Sequence, residues 1–369
     1  RYNSSNWPSY YKTAKGIKIK SIDNKWYKDY SEFSIGCNIF GYRPNEHNIL
    51  LKKLRQSPPL TTLLSPEEPL LAEDLNEFFN SNKLWRFTRG GGEALSLAVR
   101  YARSITKSDE ILVCGYHGWH DWYLASNLSS TNNLNSTFLE GLKPIGVPKF
   151  LINSTYTPKT LDKIKIEKKV RDKNIKIIVI EAARYEYLDK EISQFLKKFK
   201  LEGGLIIADE VTSGFRVEKK TAVSKLEINP DIVVLGKGLG GGWPIAAVGI
   251  DYSYKMIIED VFASSTFWTE QAGLIAGRLT LKRLEKWDNF YERLHNNSSS
   301  LRRSLINSFN QANIDLKINS IETMISYKFK ISKLDERESS ALFIDKLTKK
   351  GYLTSTTIYP TIKHIEREN

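Results

Sequence analysis

The sequence predicts an α/β fold in which helices cover a mostly parallel sheet, with a smaller α+β domain beside it. Four short apolar segments support this fold, because they are unbroken by polar residues and rich in Ile and Val, as strands buried on both faces are. They span residues 111–114, 177–180, 205–208 and 232–235. Helix-like segments lie between them, and the clearest, at 191–199, has one apolar face. Alternating strand and helix patterns are typical of a parallel sheet with covering helices.

Both ends of the chain differ from this central pattern. Residues 17–33 alternate apolar and polar side chains around an Asp-Asn pair, as a small hairpin does. Beyond about residue 283 the chain is more polar and helix-rich, with a strand-like segment at 323–329. We therefore predict a small domain formed by both ends and a large domain between them, with boundaries at 1–50, 51–283 and 284–369.

The composition excludes several classes of protein. The chain has 369 residues, 41% hydrophobic and 26% charged, which is ordinary for a globular protein. No run of about 18 apolar residues occurs, so no membrane-spanning segment is expected. Two cysteines, Cys37 and Cys114, are too few for a disulfide framework and favour a cytoplasmic location. The net charge of +13 is spread along the chain, which favours anionic small ligands over nucleic acid.

Three ionisable residues follow predicted strands at equal spacing. Glu181, Asp209 and Lys237 lie 28 residues apart, close to the length of one strand–helix–strand unit. If the strands are parallel, these side chains emerge together at the carboxyl edge of the sheet, where open α/β sheets bind ligands. Lys237 lies between glycines in a segment that matches neither a P-loop nor a strand–glycine–helix dinucleotide site.

Two further segments complete a candidate site. Gly90, Gly91 and Gly92 precede a helical pattern, so they form either a phosphate site at a helix N-terminus or a flexible turn. The segment CGYHGWHDWY at 114–123 offers Tyr116 as an aromatic surface. Its His117 and His120 raise the possibility of zinc, but the other histidines are distant in sequence and no metal is expected.

A phosphate site, an aromatic surface, a carboxylate and a lysine are together what pyridoxal phosphate requires. The lysine forms a Schiff base with the aldehyde, and the carboxylate pairs with the pyridinium nitrogen so that the ring accepts electrons. Burial and cationic neighbours are expected to lower the pKa of this lysine and make its amine nucleophilic.

The motifs resemble those of the class III, fold-type-I aminotransferases, and most closely their glutamate-1-semialdehyde 2,1-aminomutase branch. The resemblance extends over nearly the whole chain and is carried by LIIADEVTSGFRV at 205–217, LGKGLGGGWPIAAVG at 235–249, GYHGWHD at 115–121 and STFWTEQAGLIAG at 265–277. It implies a mostly parallel seven-stranded sheet in the large domain and a homodimer.

The resemblance also implies roles for individual residues. Lys237 corresponds to the Schiff-base lysine and Asp209 to the pyridinium partner. The remaining cofactor contacts that it implies are Val211 and Tyr116 on the two ring faces, Gly91, Gly92 and the second subunit's Thr266 at the phosphate, and His117 and Glu181 near the cofactor.

Two departures set the chain apart from the aminomutase. Ala182, Ala183 and Arg184 replace the Glu-Pro continuation that is usual after the acidic position. Three glycines replace the usual Ser-Gly-Thr at the phosphate turn, so hydroxyl donors are absent there.

We therefore predict an aminotransferase that moves an amino group from a donor to a keto or aldehyde acceptor. The alternative is an intramolecular 2,1-aminomutase, for which the segment 126–158, polar and predicted mobile over 126–136, is a candidate lid. A non-catalytic binding protein is a third possibility. Candidates for binding a substrate carboxylate or phosphate are Arg43, Arg89 and Arg184.

Overall fold

A computed structural model describes residues 6–136, 141–158, 160–184, 186–217, 219 and 221–364. The strands are β1 Tyr11–Lys15, β2 Lys18–Ser21, β3 Trp26–Tyr30, β4 Lys83–Thr88, β5 Ile111–Cys114, β6 Thr155–Tyr156, β7 Ile177–Ile180, β8 Leu205–Glu210, β9 Ile232–Leu235, β10 Ala246–Asp251, β11 Leu316–Ile318, β12 Ile325–Phe329, β13 Tyr352–Thr354 and β14 Thr357–Ile358. The helices are α1 Asn45–Leu54, α2 Glu67–Phe79, α3 Gly91–Thr106, α4 Asp121–Leu124, α5 Lys163–Asp172, α6 Lys190–Leu201, α7 Ala222–Lys225, α8 Lys255–Glu259, α9 Gln271–Lys286, α10 Phe290–Gln311 and α11 Glu336–Lys349.

The central sheet has seven strands in the order β4-β10-β9-β8-β7-β5-β6. Strand β10 runs antiparallel to both of its neighbours, and the pairs from β9 to β6 are all parallel. The predicted strands are present, and the fold class is confirmed. One strand is longer than expected, because β8 continues to Glu210 and thereby contains Asp209.

Both faces of this sheet are buried, which explains why its strands are apolar throughout. Alternate side chains of each strand point to opposite faces. One face packs against α3, whose apolar stripe is formed by Ala94, Leu95, Ala98, Val99 and Ala102. The other face packs against α6 through Ile192, Phe195, Leu196 and Phe199.

The strand register brings the predicted site residues to one edge. Ile180 of β7 pairs with Ala208 of β8, and Asp209 of β8 pairs with Val234 of β9. Glu181 follows β7 directly, and Lys237 lies two residues after the end of β9. All three ionisable residues therefore lie at the carboxyl edge of the parallel strands.

Strands from the two chain ends form the smaller sheets. A four-stranded sheet has the order β1-β2-β3-β13, in which β3 and β13 are parallel, and a three-stranded sheet has the order β11-β12-β14. The predicted boundaries at 50/51 and 283/284 fall inside α1 and α9. The division into two domains remains a prediction.

The segment 126–136 differs from the expected mobile loop. Ser126 and Asn127 are buried, and the segment contains two 3₁₀ turns, Ala125–Asn127 and Asn133–Ser136. The Asn127 side chain accepts from the Leu134 N–H at 2.9 Å and donates to the Leu142 carbonyl at 2.6 Å, which holds the segment in place. Residues 137–140 of the candidate lid lie outside the described residues. Among the helices described, none is long and apolar enough to cross a membrane.

Candidate active site

Lys237 lies in a 3₁₀ turn directly after the β9 segment, with a left-handed backbone conformation at φ 41°. Its Nζ donates a hydrogen bond to Thr212 Oγ1 at 2.7 Å. Burial lowers the pKa of Lys237 to about 8, and the positive charge of Arg184 acts in the same direction. A larger fraction of this amine is therefore uncharged near neutral pH than in an exposed lysine.

Asp209 forms a buried pair with His117. His117 Nδ1 lies 2.8 Å from Asp209 Oδ2, and the two side chains are 0% and 3% exposed. The second carboxylate oxygen accepts from the Val211 N–H at 3.0 Å. His117 Nε2 is buried and has no hydrogen-bond partner among the described residues. Both oxygens of Asp209 are thus held by donors, which fixes the orientation of the carboxylate.

Glu181 is neutralised by Arg184. Arg184 Nε donates to both carboxylate oxygens of Glu181 at 2.8 and 2.9 Å, and its Nη2 also contacts Glu181. The Tyr116 N–H donates to Glu181 Oε2 at 2.8 Å. Burial acts to lower the pKa of the Arg184 guanidinium, but the interaction with the Glu181 carboxylate is stronger, so the pKa is raised. Arg184, a candidate for binding substrate, is therefore a partly buried cation that is already paired with Glu181.

Thr212 connects this pair to the lysine. Its Oγ1 accepts from Arg184 Nη2 at 3.0 Å as well as from Lys237 Nζ. The guanidinium carbon of Arg184 also lies 5.7 Å from the centre of the Tyr116 ring. The structure thus brings Lys237, Glu181, Arg184 and Tyr116 into one connected cluster. Sequence reasoning missed Thr212, although it lies in the quoted motif directly after Val211.

The predicted phosphate turn begins helix α3. Gly90 is the N-cap residue and provides no side-chain cap, so the first N–H groups of α3 are unmatched by a capping side chain. A Cβ at Gly91 would lie 2.7 Å from Val211 Cγ1, and a Cβ at Gly92 would lie 2.7 Å from His120 Cε1. These glycines therefore allow close packing of α3 against Val211 and His120. The helix start adjoins Val211, the first residue after β8.

Arg89 holds the segment that contains Thr266. Its guanidinium donates to the carbonyls of Phe267, Trp268 and Glu270 at 2.5, 2.9 and 2.7 Å. Those contacts place the turn Thr266–Thr269, whose first two residues are exposed, beside the residue that precedes the three glycines. They also occupy the Arg89 side chain, which is thus engaged in positioning this turn.

Two further arginines differ in burial. Arg43 is exposed and has a left-handed backbone conformation at φ 49°. Arg216, which sequence reasoning did not select, is 1% exposed and donates to the carbonyls of Pro360 at 3.0 Å and Gly36 at 2.9 Å. Burial lowers the pKa of Arg216 to about 10. In the described part of the chain, no group of three His, Cys, Asp or Glu could hold a metal ion.

With this geometry established, comparison with known proteins decides the family. A family model described as aminotransferase class-III matches residues 2–366. The chain belongs to the class-III aminotransferase family. The predictions of the family and of its fold are therefore confirmed, and the roles of individual site residues remain predictions.

Similar proteins carry aminomutase and transaminase names. The chain is 28% identical to a glutamate-1-semialdehyde 2,1-aminomutase of Methanosphaera stadtmanae, covering 96% of this chain and 86% of the relative. It is 31% identical to the protein of the same name from Wigglesworthia glossinidia brevipalpis, covering 94% of this chain and 84% of that relative. The FumI protein of Sphingopyxis sp., solved in a form containing PLP, superposes with a TM-score of 0.86 at 21% identity, covering 98% of this chain and 86% of that one. The structural match supports the fold.

Proposed function

We propose that this chain is a pyridoxal-phosphate enzyme that moves an amino group with Lys237 as its reacting lysine. The observation that carries the proposal is the partly buried amine of Lys237, whose pKa burial lowers to about 8, at the same sheet edge as the fixed Asp209 carboxylate. The reaction that we propose is an intramolecular 2,1-amino exchange, because relatives 28–31% identical over nearly the whole chain carry the aminomutase name. This was the alternative to a two-substrate aminotransferase, and the relatives favour it.

The described residues fit this cofactor. The start of α3 has no capping side chain, so its first N–H groups can bind a phosphate. Asp209 would pair with the ring nitrogen, and Val211 and Tyr116 would hold the ring. Pyridoxal phosphate supplies an aldehyde that takes up an amine and a ring that accepts electrons. His117 would hold Asp209 in place through their hydrogen bond, and Glu181 would hold Tyr116 through the Tyr116 N–H.

The residues of the chain then perform four tasks. The Lys237 amine acts as a nucleophile, and its Nζ afterwards carries a proton between substrate carbons. Thr212 orients that amine through its hydroxyl oxygen. The Asp209 carboxylate, which His117 and Val211 hold, keeps a negative charge facing the cofactor. The pairing of Glu181 with Arg184 leaves a buried charge pair beside Lys237 that a substrate carboxylate would meet.

A second candidate function is a two-substrate aminotransferase. Arg184 favours it, because this cation belongs to the segment 182–184 that replaces the family's usual Glu-Pro continuation. It also lies close to Lys237, since Thr212 Oγ1 accepts hydrogen bonds from both side chains. A different charge at that position suits a different substrate. Part of the proposal under either reaction is a homodimer in which the second subunit's Thr266 completes the phosphate site. A cytoplasmic location also stays a prediction.

Borohydride trapping tests the lysine. Purified protein is loaded with pyridoxal phosphate, reduced and digested, and the labelled peptide is identified by mass spectrometry. We expect the label on Lys237, and we expect Lys237→Ala to keep its unfolding temperature while losing at least about 1000-fold of turnover. A label on another peptide, or protein that shows no visible absorbance after loading, would contradict the proposal.

Kinetics separates the two reactions. An aminomutase converts a single substrate, whereas an aminotransferase stops after one half-reaction unless an acceptor is present. Turnover of an amino aldehyde acid such as glutamate-1-semialdehyde, with no second substrate, would support the aminomutase. A single burst that only an added keto or aldehyde acceptor prolongs would support the aminotransferase instead.

A further inference from the structure

We infer that His120 is a phosphate-binding residue, which supplies the side-chain contact that Gly92 cannot make. This inference rests on the proposed function, because it concerns the phosphate of the proposed cofactor. It adds one residue to that site and explains the unusual glycine at position 92. The resemblance to the family did not include His120 among the cofactor contacts.

His120 occupies the space of the missing side chain. A Cβ added to Gly92 would lie 2.7 Å from His120 Cε1 and 2.9 Å from Nδ1, closer than a real Cβ approaches another atom. A side chain at position 92 would therefore require the imidazole ring at position 120 to move. The Ser-Gly-Thr turn that is usual in the family places a hydroxyl at position 92, and this chain places an imidazole nitrogen in its vicinity instead.

The nitrogen next to Gly92 lacks a partner. His120 Nδ1 is buried and makes no hydrogen bond with the described residues. A buried polar atom without a partner destabilises a protein, so such atoms usually face a ligand or water. The neighbouring start of the 16-residue helix α3 has no capping side chain, so its free N–H groups also favour an anion there.

The ring has one aromatic neighbour and two acidic ones. Trp119 stacks on His120 with ring centres 4.6 Å apart. Burial lowers the pKa of His120, and the Asp121 and Glu93 carboxylates oppose that shift. A phosphate dianion would act in the same direction as these carboxylates and favour the protonated ring, which donates from both nitrogens.

The alternative is that the ring only fills space, and matched variants separate the two roles. His120→Ala removes both ring and nitrogen, and His120→Phe keeps an aromatic ring against Trp119 without a nitrogen. The double variant Gly92→Thr/His120→Ala restores a hydroxyl at position 92 after the clashing ring is removed. For each apoprotein, the dissociation constant is measured by visible-band titration with pyridoxal phosphate and with pyridoxal, which lacks the phosphate.

We expect His120→Ala and His120→Phe to raise the dissociation constant of pyridoxal phosphate about 10- to 100-fold, which is the effect of losing one charge-assisted hydrogen bond. The dissociation constant of pyridoxal should stay within about twofold of the wild-type value. The double variant should regain most of the lost affinity. Thermal unfolding of each apoprotein verifies that the variants fold.

Three results would overturn the inference: a His120→Phe variant that binds pyridoxal phosphate as tightly as wild type, an unchanged His120→Ala variant, or an equal loss for pyridoxal. A wild-type protein that develops no visible band would contradict the proposed function. A wild-type band combined with unchanged variants contradicts this inference alone.

Discussion

His117 and Asp209 form a buried hydrogen-bonded pair in which Nδ1 lies 2.8 Å from Oδ2 and neither side chain is more than 3% exposed. The carboxylate accepts a second hydrogen bond from the Val211 N–H. A buried carboxylate is costly unless donors satisfy it, so these two contacts both stabilise its charge and fix its direction. The pair links the sheet edge at β8 to the loop after β5.

Asp209→Asn should remove the charge while keeping the size of the side chain. We expect turnover to fall about 100- to 1000-fold, because the preorganised negative charge facing the cofactor is lost. Steady-state kinetics at saturating cofactor measures this loss. Asp231→Asn is the matched control: Asp231 is also buried, but it precedes β9 at the opposite edge of the sheet. Its variant should lose stability and keep its turnover per folded molecule, and an equal loss of turnover in both would contradict the role of Asp209.

Gly91→Ala and Gly90→Ala should differ although the residues are adjacent. A Cβ at Gly91 would lie 2.7 Å from Val211 Cγ1, whereas nothing lies within 4 Å of a Cβ at Gly90. Val211 is β-branched and has little freedom to move away, so we expect Gly91→Ala to cost about 1–3 kcal/mol of unfolding free energy. It should also weaken the binding of pyridoxal phosphate about tenfold. Gly90→Ala should cost less, about 0.5–1 kcal/mol for the poorer N-cap, and should leave cofactor binding unchanged. Urea unfolding and cofactor titration test this, and equal effects of both alanines would refute the packing argument.

The strands and the site edge could be predicted because both depend on local pattern. Buried parallel strands are continuous apolar runs, and the spacing of one strand–helix–strand unit is nearly constant, so Glu181, Asp209 and Lys237 could be placed together from their positions alone. The extension of β8 through Asp209 could not be predicted, because charged residues end an apolar pattern whether or not the strand continues.

The partners of each side chain could not be predicted, since they depend on backbone turns that the local sequence does not decide. The hydrogen bond from Lys237 to Thr212 depends on the left-handed backbone of Lys237 itself, at φ 41°. Gly115 at φ 141° brings the chain so close to Glu181 that a Cβ there would lie 2.8 Å from Oε2. The close approach of His120 to Gly92 likewise joins the start of α3 to a residue 28 positions later, and neither motif alone predicts it.

Glu181 and Arg184 should show strong coupling in a double-mutant cycle. Their side chains are 4% and 13% exposed, so Arg184→Gln leaves a buried carboxylate without its cation. We expect that variant to lose about 3–5 kcal/mol of unfolding free energy. The double variant Glu181→Gln/Arg184→Gln should recover a large part of this loss, because no unpaired charge remains. Urea unfolding of all four proteins gives the coupling, and a double variant no more stable than Arg184→Gln would show that the pair contributes packing alone.

The reaction of Lys237 with pyridoxal phosphate should depend on pH with a midpoint near 8. Burial and the positive charge of Arg184 lower the pKa of Lys237 to about 8, and only the uncharged amine is a nucleophile. The rate of cofactor loading should therefore rise about tenfold per pH unit below the midpoint and level off above it. Stopped-flow absorbance of the apoprotein measures this rate, with Lys237→Ala as the blank.

Arg184→Gln should move that midpoint upward. A nearby cation disfavours the lysine ammonium, so its removal raises the pKa of Lys237, and the uncovered Glu181 carboxylate favours the ammonium in the same direction. The double variant Glu181→Gln/Arg184→Gln loses both charges and should shift the midpoint less than Arg184→Gln does. A midpoint that falls or stays constant in Arg184→Gln would mean that burial alone sets the reactivity of Lys237, and the charge pair would then have no part in it.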